Sequence, residues 1–431
     1  MEPKIFNIRM FALIAAIVIS TVTFARANAV SPQTNNTETD QFDEKALDKQ
    51  MADLKVQMRD LQKQMNRLQI KKSQEKSSLA MTRAAKRVEE RVKDMAVDLT
   101  NITTDINTNV GGSVNISSSN DEDYKRQVAS GEISEKVKTY SKTYSVDGND
   151  LLQIDNRFGK ITVNTWNRNE FKVDVQMKLG SDNEEAANNL YNGSSISDSK
   201  VGSTVSFKTN IANSNMSGRN NNQHIEINYT VYMPAGNPID ITNKFGSVDL
   251  PDLSGKALIR VSYGSLTAAS LTSGQNDVTV KFGDANIGTF NSGKVEVAYG
   301  KLKTGSVNNI DADIKFSSIS IERLKGSADV SVKYGDGFRI GTIERTVRNI
   351  SVEASFTKIN FDFKQLDSFN FDVTTKFGNF NYDDRVRVTA KTPSDEERGW
   401  SSTKTYKGYA GKDNSSNKVV INASYTNVSF N

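Results

Sequence analysis

The sequence predicts a mainly β protein, a parallel β-solenoid (β-helix-like) of about ten rungs, preceded by an N-terminal α-helical coiled-coil segment. Three observations carry this. An aromatic-glycine pair recurs at Phe158-Gly159, Phe245-Gly246, Tyr263-Gly264, Phe282-Gly283, Tyr299-Gly300, Tyr334-Gly335 and Phe377-Gly378, with degenerate copies at Phe316-Ser317, Phe356-Thr357 and Tyr425-Thr426. From Phe245 onward the aromatic returns after 18, 19, 17, 17, 18, 22 and 21 residues, the mark of stacked supersecondary units. Apolar residues alternate with polar ones around these pairs, whereas ahead of them they fall on heptad spacing.

Residues 1–29 read as an export signal. Lys4 and Arg9 precede an apolar run from Met10 to Phe24, and Ala27-Asn28-Ala29 supplies a small-x-small cleavage site. An uncleaved membrane anchor is the competing reading, but the run is shorter than the roughly 20 residues a span needs. A polar linker, 30–40, follows.

Residues 41–110 are expected to form the helical coiled coil. Leu47, Met51, Leu54, Met58, Leu61, Met65 and Leu68 form one seam, and Val88, Val92, Met95, Leu99, Ile102 and Ile106 a second, displaced in phase. One helix with a stutter and two helices folded back on each other both satisfy that displacement. The lack of Gly and Pro between Lys71 and Ser78 favours a continuous helix, about 90–100 Å long at 1.5 Å per residue. Self-association through 41–110 is expected, while the Gln- and Lys-rich flanks leave the stoichiometry open.

A flexible linker at 111–135, opened by Gly111-Gly112-Ser113, joins this segment to the repeat domain at 136–431. Polar insertions at 181–222 and 391–417 are expected to interrupt the array, the first with a strand near Val205 to Lys208.

Within one repeat, Val261, Val280, Val297, Ile314 and Val332 stand two residues before the aromatic. Three and five residues after it stand pairs such as Val248 and Leu250, Leu266 and Ala268, Ile319 and Ile321, Ile359 and Phe361, Val428 and Phe430. A straight strand cannot bury both sets, because the parity changes between them. The glycine is therefore expected to form a corner with positive φ, with the rings stacked inward to fill the coil. Tyr334-Gly335-Asp336-Gly337-Phe338 resumes one residue late and reads as a local bulge.

The residue before the aromatic is Arg157, Lys244, Lys281, Lys315, Lys333 or Lys376 in six copies. Its parity faces outward, so stacking should align a discontinuous basic stripe, a candidate surface for an acidic polysaccharide or anionic lipid. Outward lysines also keep strands soluble and blunt edge pairing.

Among 431 residues there is no cysteine and one histidine, with a net charge of +4. Thiolate chemistry, disulfides and a lipobox-type lipid anchor are excluded, and the small charge without a reading motif argues against nucleic acid. His224, at the start of a strand, reads as an ordinary surface histidine. The acidic residues look scattered, with no carboxylate pair recurring on adjacent rungs, and no phosphate-binding or nucleophile motif occurs. No catalytic residue, metal or cofactor is expected.

The run Ile227-Asn228-Tyr229-Thr230-Val231-Tyr232-Met233-Pro234, then Asn243-Lys244-Phe245-Gly246-Ser247-Val248 and the later Lys-aromatic-Gly copies, carry a family likeness. From about Tyr140 to Asn431 the chain resembles the putative-adhesin, toast-rack-like β-solenoid domains of exported bacterial envelope proteins. The resemblance implies a non-catalytic envelope protein, an adhesin or a sensor of envelope state, and brings no binding residue with it.

The first function expected is therefore a non-catalytic exported envelope or surface protein, periplasmic or at the cell surface, presenting its repeats on an oligomerising stalk to a glycan. The alternative is a periplasmic scaffold or sensor that binds an envelope protein in stress signalling, and a lesser one is a polysaccharide-active enzyme. No transmembrane span is expected after signal cleavage.

Overall fold

The computed structural model describes residues 114–115, 122–212, 223–394 and 401–431. The export signal, the linker 30–40 and the coiled coil expected at 41–110 lie outside those residues. The described chain is mainly β, with one hydrogen-bonded sheet running through all its strands and two helices, Glu122–Ala129 and Glu184–Gly193.

Two parallel ladders make up most of that sheet. One is built from the strands that lead into each aromatic: Leu151–Arg157, Ile239–Lys244, Ala257–Ser262, Asn276–Lys281 and Gly293–Ala298 pair in register and continue through the later copies. The other is built from the strands that leave it, Val248–Leu253, Leu266–Leu271 and Ala285–Phe290 onward. Alternation gives each strand one buried face. Ile154, Ile241, Ile259, Val278, Val295, Ala312, Val330, Val352, Ile421 and Val373 stand opposite one another as a single buried column. Each large side chain so buried is worth about 1.5–3 kcal/mol, so the column is the main source of cohesion.

Pairing is not parallel throughout. Before the first ladder, Ser134–Ser145 pairs antiparallel with Glu170–Ser181, which pairs antiparallel with Gln223–Met233. At the far end Phe369–Lys376 is covered by Thr403–Ala410 and that strand by Val386–Thr392, both antiparallel. The segment expected as a polar insertion at 181–222 contains the helix Glu184–Gly193, capped by the Asn183 side chain accepting from the Ala186 N–H. It also contains Thr204–Asn210, which joins the ladder beside Leu151–Arg157.

The C-terminal rung is out of sequence order. Lys418–Ser424 inserts between Asn349–Ser355 and Phe369–Lys376 and runs parallel to both. The last residues of the chain are therefore an interior layer of the stack.

The corner differs from expectation in two respects. Positive φ belongs to the aromatic, not to the glycine: Phe158, Phe245, Tyr263, Phe282, Tyr299, Phe316, Tyr334, Phe356, Phe377 and Tyr425 have φ between 49° and 63°. Of the glycines that follow them, Gly159 alone has positive φ. One left-handed residue resets the alternation, which accounts for the parity change on either side. The glycine is needed for a separate reason, since a Cβ on Gly246, Gly264, Gly283 or Gly300 would be driven into the backbone carbonyl of the preceding rung's glycine. Where Ser317 takes that place, its hydroxyl accepts from the Gly300 N–H at 3.0 Å and donates to the Lys315 carbonyl at 2.7 Å.

The rings also do not fill the interior. Phe158 is 1% exposed, but eight of the others lie half-buried at the corner and Phe356 is exposed at 36%. The left-handed backbone turns each ring out of the aliphatic columns and over its neighbour. The bulge after Tyr334 falls as expected, with Phe338 back in register against Ile319 and Ile359.

Candidate functional site

The outward side chains of the first ladder contain the predicted stripe. In stacking order the row reads Arg157, Lys244, Ser262, Lys281, Ala298, Lys315, Lys333, Ser355, Ser424, Lys376. It does not stand alone on its face. Two residues earlier in each strand comes a row with Asp155, Glu296, Asp313 and Glu353, and two residues earlier again one with Asp240, Asp277, Asp311, Asp329 and Asp372.

Lys281 pairs with Glu296 at 3.4 Å, Lys315 with Asp313 at 2.5 Å and Arg260 with Asp240 at 2.8 Å. Such exposed pairs add little stability. Their effect is on the field, because carboxylates match the cations nearly one for one and the face carries little net charge toward a distant anion.

Those acidic rows overturn the expectation that no carboxylates share adjacent rungs. Asp311 stands directly opposite Asp329, and Glu296 opposite Asp313. Extending the alignment back from the aromatic would have exposed both columns. The four sit on the outward face beside Lys294 and Lys315. Among the described residues no group of three His, Cys, Asp or Glu is placed to hold a metal ion. A shallow cavity elsewhere, lined by Asp367, Asp384, Arg385, Arg387 and Tyr409, is apart from these pairs.

The aromatic corner forms a continuous stack. Tyr263 and Phe282 have centroids 4.6 Å apart with planes at 6°, Phe282 and Tyr299 4.8 Å at 2°, and Tyr299 and Phe316 4.9 Å at 3°. Ring faces along the interior of the stack are therefore consumed by other rings, so no sugar can stack on them; their edges alone reach the surface.

His224 is buried, not on the surface. It is 2% exposed, and the ring of Tyr124 lies over it at 3.8 Å and 25°. Tyr124 comes from the helix Glu122–Ala129, in a segment whose polar composition reads as linker, so nothing in the sequence announced a lid over the histidine. The Tyr124 hydroxyl donates to Glu135 at 2.7 Å, and burial followed by that bond pushes its ionisation well above the ordinary tyrosine range.

No family model matches the chain, and no curated protein matches it. Among solved structures it is similar to a putative cell adhesion protein from Clostridium sporogenes, at 11% identity and a TM-score of 0.16 over 68% of this chain and 99% of that one. It is also similar to a putative adhesin from Bacteroides fragilis, at 10% identity and 0.22 over 68% and 97%. A putative adhesin from Parabacteroides distasonis gives 11% and 0.25 over 68% and 97%. Similarity at that level decides neither fold nor ligand.

Proposed function

We propose that this chain is a non-catalytic, exported envelope or surface protein that adheres through the flat outward faces of its ladders, with 41–110 as a self-associating stalk. The observation that carries this reading is the register: polar side chains from rungs far apart in sequence line up in straight rows at about 4.8 Å spacing. Such rows suit a long polymeric ligand contacted weakly at many points, and self-association of the stalk would multiply those contacts. The stripe from Arg157 to Lys376, balanced by its neighbouring carboxylates, serves solubility and edge protection in this reading.

The test has two parts. A glycan array probed with the full chain should give signal, and silence on every sugar would remove the adhesive half. Light scattering of the chain with and without 41–110 should give different protomer numbers, and equal numbers would remove the stalk.

A further inference from the structure

We propose that the second ladder carries an anion-binding face centred on Lys301, Lys303, Arg339 and Lys358, and that its ligand is a linear polysaccharide bearing carboxylates, laid along the stacking direction. This deepens the adhesive reading and rests on it.

The four cations come from three rungs that the register stacks together. Lys303 stands opposite Ser320, and Ser320 opposite Arg339, which places the two cations two rungs, about 10 Å, apart. Lys301 stands opposite Ser318, and the same pairing carried through Phe338 and Ile359 places Lys358 three rungs along the adjoining row. All four side chains are exposed, and none forms an ion pair with a described residue. By contrast, Lys160 on this same face pairs with Asp249, and Lys281 and Lys315 on the first ladder have carboxylate partners. Asp284, opposite Lys301, makes no ion pair with it, and Glu344 is engaged by Arg323 at 3.4 Å.

Between the cations the outward residues are Ser318, Ser320, Gly337 and Asn360, short and polar enough to meet hydroxyl groups, with the exposed carboxylates of Asp336 and Glu322 at the margins. The patch has no apolar side chain to insert into a bilayer and no aromatic ring to stack on a base. A polysaccharide with carboxylates needs what is present: spaced cations, one of them an arginine able to grip a carboxylate with two N–H groups, and hydroxyl and amide partners in between.

The experiment measures binding of the full chain to polygalacturonate, a neutral linear glucan and anionic phospholipid vesicles, each at low and high salt. The wild type is expected to bind polygalacturonate at low salt and to lose it at high salt. Lys303→Ser with Arg339→Ser should weaken that binding by about tenfold or more. Lys281→Ser with Lys376→Ser, on the first ladder, should leave it within about twofold. Unchanged melting temperatures show that both variants fold. An equal loss from both pairs, no loss from the first, or binding to vesicles alone overturns the proposal. If polygalacturonate fails while other glycans bind, this face is wrong and adhesion stands; if no glycan binds, both fall.

Discussion

Tyr425 stacks on Phe356 with ring centroids 4.6 Å apart and planes 6° from parallel, while its other face meets Phe377 at 4.9 Å. The last of the corner aromatics in sequence thus lies between two that precede it. In this spatial order, from Phe245 onward, phenylalanine and tyrosine alternate without a break, whereas in sequence order Phe356 and Phe377 would be neighbours. Alternation spaces the phenol hydroxyls two rungs apart, so no two aligned O–H dipoles face each other across one.

An interior C-terminal rung should make the end of the chain costly to alter. Phe430 is 3% exposed and packs on Phe363 at 4.6 Å and Phe380 at 4.8 Å. Phe430→Ala is expected to cost about 3–5 kcal/mol, read from urea unfolding, and to expose Phe369–Lys376 to limited proteolysis. A cost below about 1 kcal/mol, the scale of an ordinary substitution, would refute the insertion.

Two glycines should respond oppositely to one extra methyl group. A Cβ on Gly283 points into the Gly264 carbonyl of the preceding rung, whereas one on Gly274 meets nothing within 4 Å. Gly283→Ala is expected to destabilise by more than about 2 kcal/mol, and Gly274→Ala to remain within about 0.5 kcal/mol or stabilise slightly. Thermal unfolding of the two variants decides it; similar melting points would mean that the rungs can part to admit a side chain.

At the aromatic corner, alanine should be worse than glycine. Phe282 has φ of 56° and is stacked on both faces. Both Phe282→Ala and Phe282→Gly lose the ring, but alanine keeps a left-handed cost that glycine lacks, about 1 kcal/mol. Phe282→Gly should therefore have the higher urea midpoint, the reverse of the order in an ordinary strand. The usual order would remove the claim that these aromatics hold strained backbone.

Much of this architecture was legible because each rung meets the same steric problem and answers it with the same residues. The interval between aromatics, the Val-x-aromatic parity and the shared row of Arg157 and Lys376 all follow from that repetition. The direction of the rings was not legible, because counting parity assumes that every residue but glycine is right-handed; ten left-handed aromatics break the assumption. The displaced order of Phe377 and Tyr425 left a trace in the interrupted Phe/Tyr alternation. The second-ladder cations were not legible because beyond the ring only the apolar positions repeat, while the outward positions that hold Lys303 and Arg339 carry serine and asparagine in neighbouring copies. His224 was misjudged because its cover, Tyr124, is the single buried residue of a short polar helix.

One cluster should make stability fall at both ends of the pH scale. Tyr140 and Tyr144, on Ser134–Ser145, both donate to the carboxylate of Asp198 on the hairpin strand Ser195–Val201. Burial works to raise the Asp198 pKa, but the two phenol bonds outweigh it and hold the carboxyl below its usual range. Its contribution is complete above the ordinary aspartate pKa and is lost as pH falls through the depressed value. The same bond to Asp198, followed by burial, pushes Tyr144 up to about 12. Burial first and then Asp198 raise Tyr140 as well. Above the ordinary tyrosine pKa of about 10 the unfolded chain ionises while the folded one resists, so stability drains as pH climbs toward the raised values. Asp198→Asn removes the charge but keeps the shape. It should be less stable than the wild type at neutral pH, with a gap that narrows as pH falls through the aspartate range and narrows again in alkali. Denaturant midpoints across that span measure the gap, and one that stays constant with pH would show that the triad contributes shape alone.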